Sequence, residues 1–460
     1  MDRQTKIVCT IGPATSSETE LQALIGAGMN VARLNFAHGD HAQHGAVLAR
    51  VRALAERLDV PVAVLQDLAG PKVRIGTIAG GSIVLEAGHP LILTTDPVEG
   101  SSTRVSVSYA NLPREVEDGD VLLLADGTIQ LRIERVTEAD IYCRVVVGGR
   151  LSSRKGVNVP SGLSGLPILS EKDLQDLRFG LEQGVDYVGL SFVRSVEDVH
   201  TARAHMEALG GHVPVIAKIE TQAALDHFDA IADAADGIMI ARGDLGLQTP
   251  FARVPVVQKQ LIAKANRRAK PIITATQMLY SMVSSPQPTR AEVADVANAI
   301  LDGSDAVMLS EETAVGEQPV RAVEVMAEIA RETEHGVLPD VPPRGAVEPP
   351  LTDREAIVQA ACELGTRLRV DVIVTISATG ETARFAAKCR APQPILALTS
   401  DRESYRRLAL VRGVVPLLLP APIRDTAEPL EAVRRVVHEH GWGGKRAVLV
   451  TGERLWRATL

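Results

Sequence analysis

The sequence predicts an α/β protein built on a (β/α)8 TIM barrel, with a small β-barrel domain inserted in it and an open α/β domain after it. Three observations support this fold class. Eight apolar, strand-like runs alternate with helical patterns, a stretch of short β-type runs interrupts the alternation, and a proline-rich segment precedes a second α/β pattern. A length of 460 residues also suits about three domains of ordinary size.

The eight runs are interpreted as parallel strands because their apolar residues are continuous, which is typical of strands covered on both faces. They lie at residues 6–11, 29–36, 62–67, 185–193, 213–219, 236–242, 271–276 and 305–310. Amphipathic patterns such as ETELQALIGAG and VEDVHTARAHMEALG separate most of them. Eight strands, most of them followed by a helix, are the number that closes a (β/α)8 barrel.

Two changes in composition divide the chain further. Between about Val73 and Pro160 the helical periodicity gives way to short β-type runs separated by Asp-Gly and Gly-Gly turns. Residues 337–350 hold five prolines in fourteen positions, which predicts a linker. We therefore expect a barrel domain at 1–71 and 161–336, an inserted β-barrel lid at 72–160, and a C-terminal α/β domain at 351–460 with a regulatory or assembly role.

The composition excludes several functional classes. The chain has 49 basic and 57 acidic residues, a net charge of −8 and no basic run, so no nucleic-acid partner is expected. No apolar stretch approaches the ~18 residues that span a membrane, and the N-terminus lacks a secretory pattern. The four cysteines are far apart in sequence, which favours a reducing compartment, and we expect a cytoplasmic protein without a membrane partner.

Candidate site residues follow from the predicted barrel, because reactive groups lie at the carboxyl ends of its strands. Carboxylates that hold a hard cation, beside cations that hold an anion, suit a phosphorylated substrate with Mg²⁺. A lone carboxylate at a strand end is more often a helix cap, whereas Lys218 is flanked by apolar residues and needs a partner for its charge. In strand order, the ends carry Arg33, Asn35, Asp67, Lys218, Glu220, Arg242, Gly243, Asp244, Thr276, Ser310 and Glu312. Thr289 and Glu292 are instead interpreted as a helix capping box.

Several longer segments resemble one enzyme family. They are MNVARLNFAHG (29–39), DLAGPKVRIG (67–76), KGVNVP (155–160), VIAKIET (215–221), DGIMIARGDLG (236–246), ATQMLYSM (275–282), PTRAEVADVANAILDGSDAVMLSEETA (288–314) and TGETAR (379–384). From Lys6 to about residue 452 the chain resembles pyruvate kinase. The resemblance implies Mg²⁺-dependent transfer of a phosphoryl group from phosphoenolpyruvate to ADP, giving pyruvate and ATP in the last step of glycolysis.

The resemblance also implies roles for individual residues and a homotetrameric assembly. Arg33 and Lys218 would hold the transferring phosphoryl group, and Glu220 and Asp244 would ligate Mg²⁺, or Mn²⁺ in its place. Gly243 and Thr276 would hold the substrate carboxylate. The remaining roles implied are a proton relay through Thr276, Ser310 and Glu312, and nucleotide contacts from Asn35, His38, Arg74 and Lys155.

The sequence departs from many relatives where those bind K⁺. Asn35 and Asp67 are present, but Ala37 and Leu68 replace a serine and a threonine, and Lys72 replaces a glutamate. A lysine ammonium can supply the positive charge that K⁺ would supply. With Leu68 and Ile75, this pattern resembles the K⁺-independent branch, so we expect that K⁺ is not required. The alternative is that Lys72 is only a solvated hinge residue.

A second departure concerns regulation. SATGETAR in the C-terminal domain resembles the loop that binds effector phosphates, with Ser377, Thr379 and Thr382 as possible donors. Glu381 adds a negative charge there, and the tail lacks the glycine-rich loop of relatives regulated by sugar bisphosphates. Activation by fructose 1,6-bisphosphate is therefore not expected, and a monophosphate effector or none stays open.

Two other functions compete with the kinase. A metal-dependent aldolase or lyase acting on pyruvate or its enolate would use a similar barrel mouth, but Arg74, Lys155 and the inserted domain argue against it. A non-catalytic regulatory paralogue would bind ligands without turnover, and the intact set of site residues argues against that function.

Overall fold

A computed structural model describes residues 3–160, 162–163, 165–336, 351–422, 429–451 and 453–460. The linker predicted at 337–350 lies outside the described residues. The first elements belong to a barrel, and they are β1 (Lys6–Ile11), α1 (Glu18–Ala27), β2 (Val31–Asn35), α2 (His41–Arg57) and β3 (Ala63–Asp67).

After β3 the chain leaves the barrel and forms the predicted strand-rich domain. Its strands are β4 (Val73–Arg74), β5 (Ser82–Leu85), β6 (Pro90–Thr94), β7 (Arg104–Ser106), β8 (Val121–Leu124), β9 (Ile129–Val136), β10 (Asp140–Val147), β11 (Gly149–Ser152) and β12 (Gly156–Asn158). Seven of them form a sheet in the order β4-β12-β8-β9-β10-β6-β7, and β5 pairs with β11. A bridge between Ile75 and Val107 joins the two edges of that sheet, so it closes around its own apolar core.

The chain then returns to the barrel. The elements are α3 (Glu171–Gln183), β13 (Tyr187–Leu190), α4 (Val196–Ala208), β14 (Val215–Ile219), α5 (Gln222–Asp226), α6 (Phe228–Ala234), β15 (Gly237–Ala241), α7 (Arg242–Gln248), α8 (Val254–Arg267), β16 (Ile272–Ala275), α9 (Arg290–Asp302), β17 (Ala306–Leu309), α10 (Glu311–Ala314) and α11 (Pro319–Gly336). The eight strands close in the order β1-β17-β16-β15-β14-β13-β3-β2. Each lies within one of the eight predicted runs, and the capping box of Thr289 and Glu292 at α9 is confirmed.

The C-terminal domain is an open α/β sheet. Its elements are α12 (Asp353–Leu368), β18 (Val372–Ile376), α13 (Glu381–Lys388), β19 (Ile395–Thr399), α14 (Arg402–Arg407), β20 (Val414–Leu418), α15 (Pro429–Glu439), β21 (Arg446–Val450) and β22 (Leu455–Thr459). The sheet order is β20-β19-β18-β21-β22. The first four strands in this order are parallel, as in the open α/β domain that the sequence predicts, whereas β22 is antiparallel to β21. Its LWRAT segment lies on an exposed edge, so it has no continuous apolar run to reveal it.

The C-terminal domain also covers the amino end of the barrel. A short turn at Leu408–Leu410 places Ala409 and Leu410 in the same buried cluster as the inward-facing barrel residues. Lys6 at the start of β1 donates from Nζ to the carbonyl of Val414 at 2.7 Å. The two domains therefore share one apolar floor beneath the barrel.

A buried ion pair joins the same two domains. The Lys388 ammonium contacts Asp305, directly before β17, and neither side chain is exposed to solvent. Burial lowers the pKa of Lys388 to about 8, although the charge of Asp305 opposes this shift. The opposite end of β17 leads to Ser310 and Glu312, so one strand connects this ion pair to the barrel mouth.

Candidate active site

Four charged side chains meet at the carboxyl end of the barrel. β2 carries Arg33, β3 ends at Asp67, and β14 carries Lys218 with Glu220 directly after it. One oxygen of Asp67 lies 2.6 Å from Arg33 Nε, and the other lies 3.2 Å from Lys218 Nζ. Lys218 Nζ also lies 3.0 Å from a Glu220 oxygen. Two cations therefore face two carboxylates, which we call the charge cluster.

Burial and neighbouring charges set the ionisation of this cluster. Burial would raise the pKa of Asp67, but the charges of Lys218 and Arg33 hold it below its ordinary value. Burial would lower the pKa of Lys218, but Asp67 and Glu220 raise it to about 12. Burial raises the pKa of Glu220, and Asp244 raises it further. Of the two carboxylates in the cluster, Glu220 is the one whose pKa is raised, although the charge of Lys218 opposes this shift.

The turn after β13 supplies neutral partners to the cluster. Lys218 Nζ donates to Ser191 Oγ at 2.7 Å, and the Ser191 hydroxyl donates to the carbonyl of Leu68 at 2.7 Å. The backbone N–H of Phe192 donates to Glu220 Oε2 at 2.8 Å. Lys72 Nζ lies 5.3 Å from the centre of the Phe192 ring. Neither Ser191 nor Phe192 was a sequence candidate, because a serine and a phenylalanine after a strand carry no distinctive pattern.

The loops after β15 and β16 form a second part of the site. The backbone N–H of Gly243 donates to Thr276 Oγ1 at 2.8 Å. Thr276 has a φ of +69°, which is a strained conformation for a β-branched residue. The sequence placed Arg242 among the charges of the mouth, but its guanidinium instead lies 2.7 Å from Asp295 on α9 and donates to the Thr276 carbonyl. Arg242 therefore holds the strained loop in place.

The third part lies after β17. The backbone N–H groups of Ser310 and Leu279 donate to the two oxygens of Glu312, at 2.7 and 3.1 Å. Burial raises the pKa of Glu312. The Ser310 hydroxyl is buried without a hydrogen-bond partner. A carboxyl that retains its proton more readily than usual thus lies beside a hydroxyl with unused hydrogen-bonding capacity.

Glu220 and Asp244 fit a divalent cation that is shared with a substrate. Asp244 lies in the first turn of α7, close enough for its charge to act on Glu220 and Lys218. No group of three or more His, Cys, Asp or Glu side chains in the described part of the chain is arranged to hold a metal. Mg²⁺ in phosphoryl-transfer sites commonly takes one or two carboxylates and completes its shell with water and substrate oxygens. Two hard carboxylates match that requirement.

A cleft of about 670 Å³ separates the barrel from the inserted domain. Lys72 and Asn158 line it on one side, and Phe192 and Asp244 line it on the other. Gln248, the last residue of α7, donates to Asn158 Oδ1 at 2.5 Å. The helix that carries Gly243 and Asp244 therefore touches the inserted domain directly.

The four residues predicted to contact a nucleotide occur as two pairs. Asn35 and His38 lie on the loop after β2, where Asn35 Oδ1 accepts from the Ala37 N–H at 3.1 Å and His38 is exposed. Arg74 on β4 and Lys155, directly before β12, are exposed, and β4 and β12 pair in the inserted domain. The two pairs thus come from the two domains that border the cleft.

The predicted effector loop begins α13. Gly380 has a φ of +74° there, and Thr379 is exposed, Ser377 half-buried and Thr382 buried. The carboxylate of Glu381 pairs with Arg354 at 2.6 Å. The extra negative charge on this loop is thus partly neutralised within the domain.

Known proteins resemble this chain over both the barrel and the C-terminal domain. The family profile "Pyruvate kinase, barrel domain" matches residues 2–323, and "Pyruvate kinase, alpha/beta domain" matches residues 355–457. Pyruvate kinase 2 of Synechocystis sp. is 47% identical over 444 residues, which are 96% of this chain and 74% of that protein. Pyruvate kinase of Geobacillus stearothermophilus is 45% identical over 450 residues, 96% of this chain and 76% of that protein. The crystal structure of a pyruvate kinase from Cryptosporidium parvum has a TM-score of 0.94 at 37% identity, covering 100% of this chain and 96% of that one.

Proposed function

The chain belongs to the pyruvate kinase family, and from this premise we propose how its own residues perform the reaction. The protein is a kinase that acts on phosphoenolpyruvate and ADP in glycolysis. The comparisons give no support to an aldolase, a lyase or a non-catalytic paralogue. The observation that carries the residue assignment is the charge cluster of Arg33, Asp67, Lys218 and Glu220.

In this proposal Arg33 and Lys218 grip the phosphoryl group during its transfer. The transition state spreads negative charge over the equatorial phosphoryl oxygens, and fixed cations stabilise that charge without having to reorganise. Asp67 holds both cations, since one of its oxygens contacts Arg33 and the other contacts Lys218. The lowered pKa of Asp67 keeps it ionised and therefore able to hold them.

Glu220 and Asp244 are the residues that would hold Mg²⁺, or Mn²⁺ in its place. When bound, the ion would offset the negative charge of the substrate carboxylate and of the enolate oxygen. We assign the orientation of the substrate carboxylate to Gly243 and Thr276, whose N–H and hydroxyl lie together at the mouth. Without substrate, the Gly243 N–H donates to Thr276 Oγ1 at 2.8 Å and the Thr276 hydroxyl donates to the Ala275 carbonyl at 2.6 Å, so both would turn to the carboxylate when it binds. We assign the proton relay to the enolate carbon to Thr276, Ser310 and Glu312, which is supported by the raised pKa of Glu312 and the unpartnered Ser310 hydroxyl.

The inserted domain acts as a lid over the nucleotide. Asn35 and His38 contact the nucleotide from the barrel, and Arg74 and Lys155 contact it from the lid. Closure of such a lid excludes water from the transferring group. We keep the expected boundaries: a barrel domain at 1–71 and 161–336, a lid at 72–160, a linker at 337–350 and a C-terminal domain at 351–460.

We further propose that the enzyme does not require K⁺. Lys72 provides an ammonium at the cleft, and the Leu68 carbonyl, a possible ligand of a monovalent cation, already accepts the Ser191 hydroxyl. Initial rates in Na⁺ or tetramethylammonium should therefore equal those in K⁺. A large activation by K⁺ would contradict this assignment.

The assembly and the location are also part of the proposal. The resemblance to pyruvate kinase implies a homotetramer, and the barrel carries exposed apolar side chains that a second copy could cover, such as Phe251 at 84% exposure, Tyr280 and Val315. We expect light scattering to give the mass of a tetramer, and the mass of a monomer would refute the tetrameric assembly.

A cytoplasmic location is expected because glycolysis operates there. No helix in the described ranges is long and apolar enough to cross a membrane. Ser377 and Thr379 are the accessible donors for a monophosphate effector.

An assay of ATP formation from phosphoenolpyruvate and ADP tests the function. The parent chain should produce ATP and pyruvate in equal amounts and only when a divalent cation is present. Cleavage or condensation of a pyruvate-derived substrate without ATP formation would instead support the lyase or aldolase. Ligand binding without any turnover would support the regulatory paralogue.

A further inference from the structure

We infer that Ser191 is a positioning residue for phosphoryl transfer, whose hydroxyl holds the Lys218 ammonium and limits its pairing with Glu220. The inference rests on the proposed function and deepens it. The turn after β13 contacts three charged side chains through two consecutive residues. Ser191 accepts a hydrogen bond from Lys218, and Phe192 contacts Glu220 through its N–H and Lys72 through its ring.

The Lys218 ammonium has three N–H bonds and three partners of its own. They are Ser191 Oγ at 2.7 Å, Glu220 Oε1 at 3.0 Å and Asp67 Oδ1 at 3.2 Å. The shortest of these contacts is the one to the neutral hydroxyl. The Ser191 hydroxyl donates its own hydrogen to Leu68, so an oxygen lone pair is left to accept from Lys218. Ser191 is therefore a fixed acceptor and cannot turn away without losing a second hydrogen bond.

The orientation of Ser191 is fixed by tight packing. Ser191 is 2% exposed, and a Cβ on Gly70 would lie 2.9 Å from the Ser191 Cβ. The next residue, Phe192, has a φ of +57°, which is uncommon outside glycine. Strain of this kind persists where the surrounding structure imposes it, often at functional sites. The turn therefore holds the hydroxyl and the Phe192 N–H at fixed positions.

The consequence concerns Glu220, which must be available to a divalent cation. Its Oε2 accepts from Phe192 N–H and its Oε1 faces Lys218. A buried N–H left without a partner is costly, so loss of the Ser191 hydroxyl would turn the ammonium towards the carboxylates. Lys218 would then compete more strongly with the cation for Glu220, and it would lie farther from the path of the phosphoryl group. Ser191 thus keeps Lys218 directed towards the phosphoryl group and leaves Glu220 available to the cation.

The experiment compares Ser191→Ala with Ser191→Thr, which retains a hydroxyl. Ser304→Ala is the matched control, because Ser304 is also buried and hydrogen-bonded, to Thr274 at 2.7 Å, but lies at the amino end of β17. We would measure kcat, the KM for phosphoenolpyruvate and the half-saturating Mg²⁺ concentration. Binding of Mn²⁺ alone, followed by electron paramagnetic resonance, provides a readout without turnover.

For Ser191→Ala we expect kcat to fall by ~10- to 100-fold, the effect of losing a hydrogen bond to a charged group. The half-saturating Mg²⁺ concentration and the Mn²⁺ dissociation constant should each rise several-fold. Ser191→Thr should recover most of the lost kcat and most of the lost cation affinity. Ser304→Ala should change neither kcat nor the cation affinity. A purely structural role for Ser191 would lower stability without moving the Mn²⁺ constant.

The outcomes separate this inference from the proposed function. A parent chain that makes no ATP from phosphoenolpyruvate and ADP overturns both. An active parent with Ser191→Ala within twofold of it in kcat and in Mn²⁺ affinity overturns the inference alone. If Ser191→Ala does not fold, Ser191→Cys decides, since it keeps the size of the side chain but accepts hydrogen bonds weakly. An unchanged kcat and Mn²⁺ constant in that variant would equally overturn it.

Discussion

Replacing Lys218 with methionine removes the ammonium but keeps an unbranched side chain. In the parent, that ammonium contacts Ser191, Glu220 and Asp67 at 2.7, 3.0 and 3.2 Å. In the variant, Asp67 keeps Arg33 at 2.6 Å, whereas Glu220 keeps only the Phe192 N–H. The charge cluster changes from neutral to a net charge of −1 and then repels an anionic substrate.

We expect Lys218→Met to lower kcat by at least ~10² to 10³, or about 3–4 kcal/mol, the usual cost of one charge contact in a transition state. Folding should survive, because Arg33 still pairs with Asp67 and Glu220 still accepts from the Phe192 N–H. Pyruvate formation, coupled to NADH oxidation, measures the rate, and circular dichroism checks the fold. Lys264→Met is the matched control, since it breaks an exposed ion pair with Asp229 far from the barrel mouth and should leave kcat unchanged. Near-normal turnover of Lys218→Met would refute the role of the charge cluster.

Three further predictions concern stability, strain and cations. Lys388→Met should destabilise the fold by about 3–5 kcal/mol near pH 7, because it leaves the Asp305 carboxylate buried without its main partner. In the parent, burial would raise the pKa of Asp305, but the charges of Lys388 and Arg390 hold it below its ordinary value. The ionised Asp305 therefore stabilises the fold fully at a pH above its ordinary pKa, and this stabilisation is lost as the pH falls through the lowered pKa. The variant's deficit in urea unfolding should therefore shrink on acidification, and a deficit that grows would contradict the assignment. Thr276→Gly should stay within about 1 kcal/mol of the parent in stability, since glycine accepts a φ of +69°, yet lose at least ~10-fold in kcat; full activity would exclude a role for the hydroxyl. Lys72→Ala should lose activity in Na⁺ and regain part of it in K⁺, and equal rates in the two salts would show that Lys72 does not replace the ion.

The barrel could be predicted because parallel strands covered on both faces require continuous apolar runs. The same physics placed Arg33, Asp67, Lys218 and Glu220 at strand ends that the closed barrel brings together. The sequence could not predict how they are partnered, since Arg33 and Lys218 are 185 positions apart and meet only through Asp67.

Other features of the site and the fold have no local sequence pattern from which they could be predicted. Ser191 and Phe192 act through one hydroxyl and one backbone N–H, and neither group depends on a recognisable motif. Arg242 looked like a mouth charge because strand position does not determine where a long side chain points, and only the fold shows Asp295 beside it. The edge strand β22 was missed for a related reason, because half-exposed strands lack the apolar continuity that reveals buried ones.

The floor that Ala409 and Leu410 add to the barrel has a consequence for protein engineering. A catalytic fragment that ends before residue 351 would expose the inward-facing cluster that contains Val8 and Met239. Open apolar surfaces of this kind promote aggregation. Exchanging C-terminal domains between relatives should succeed only when the Leu408–Leu410 turn and its partners in the barrel are transferred together. The unit that can be moved between proteins is therefore the complete chain from β1 to β22.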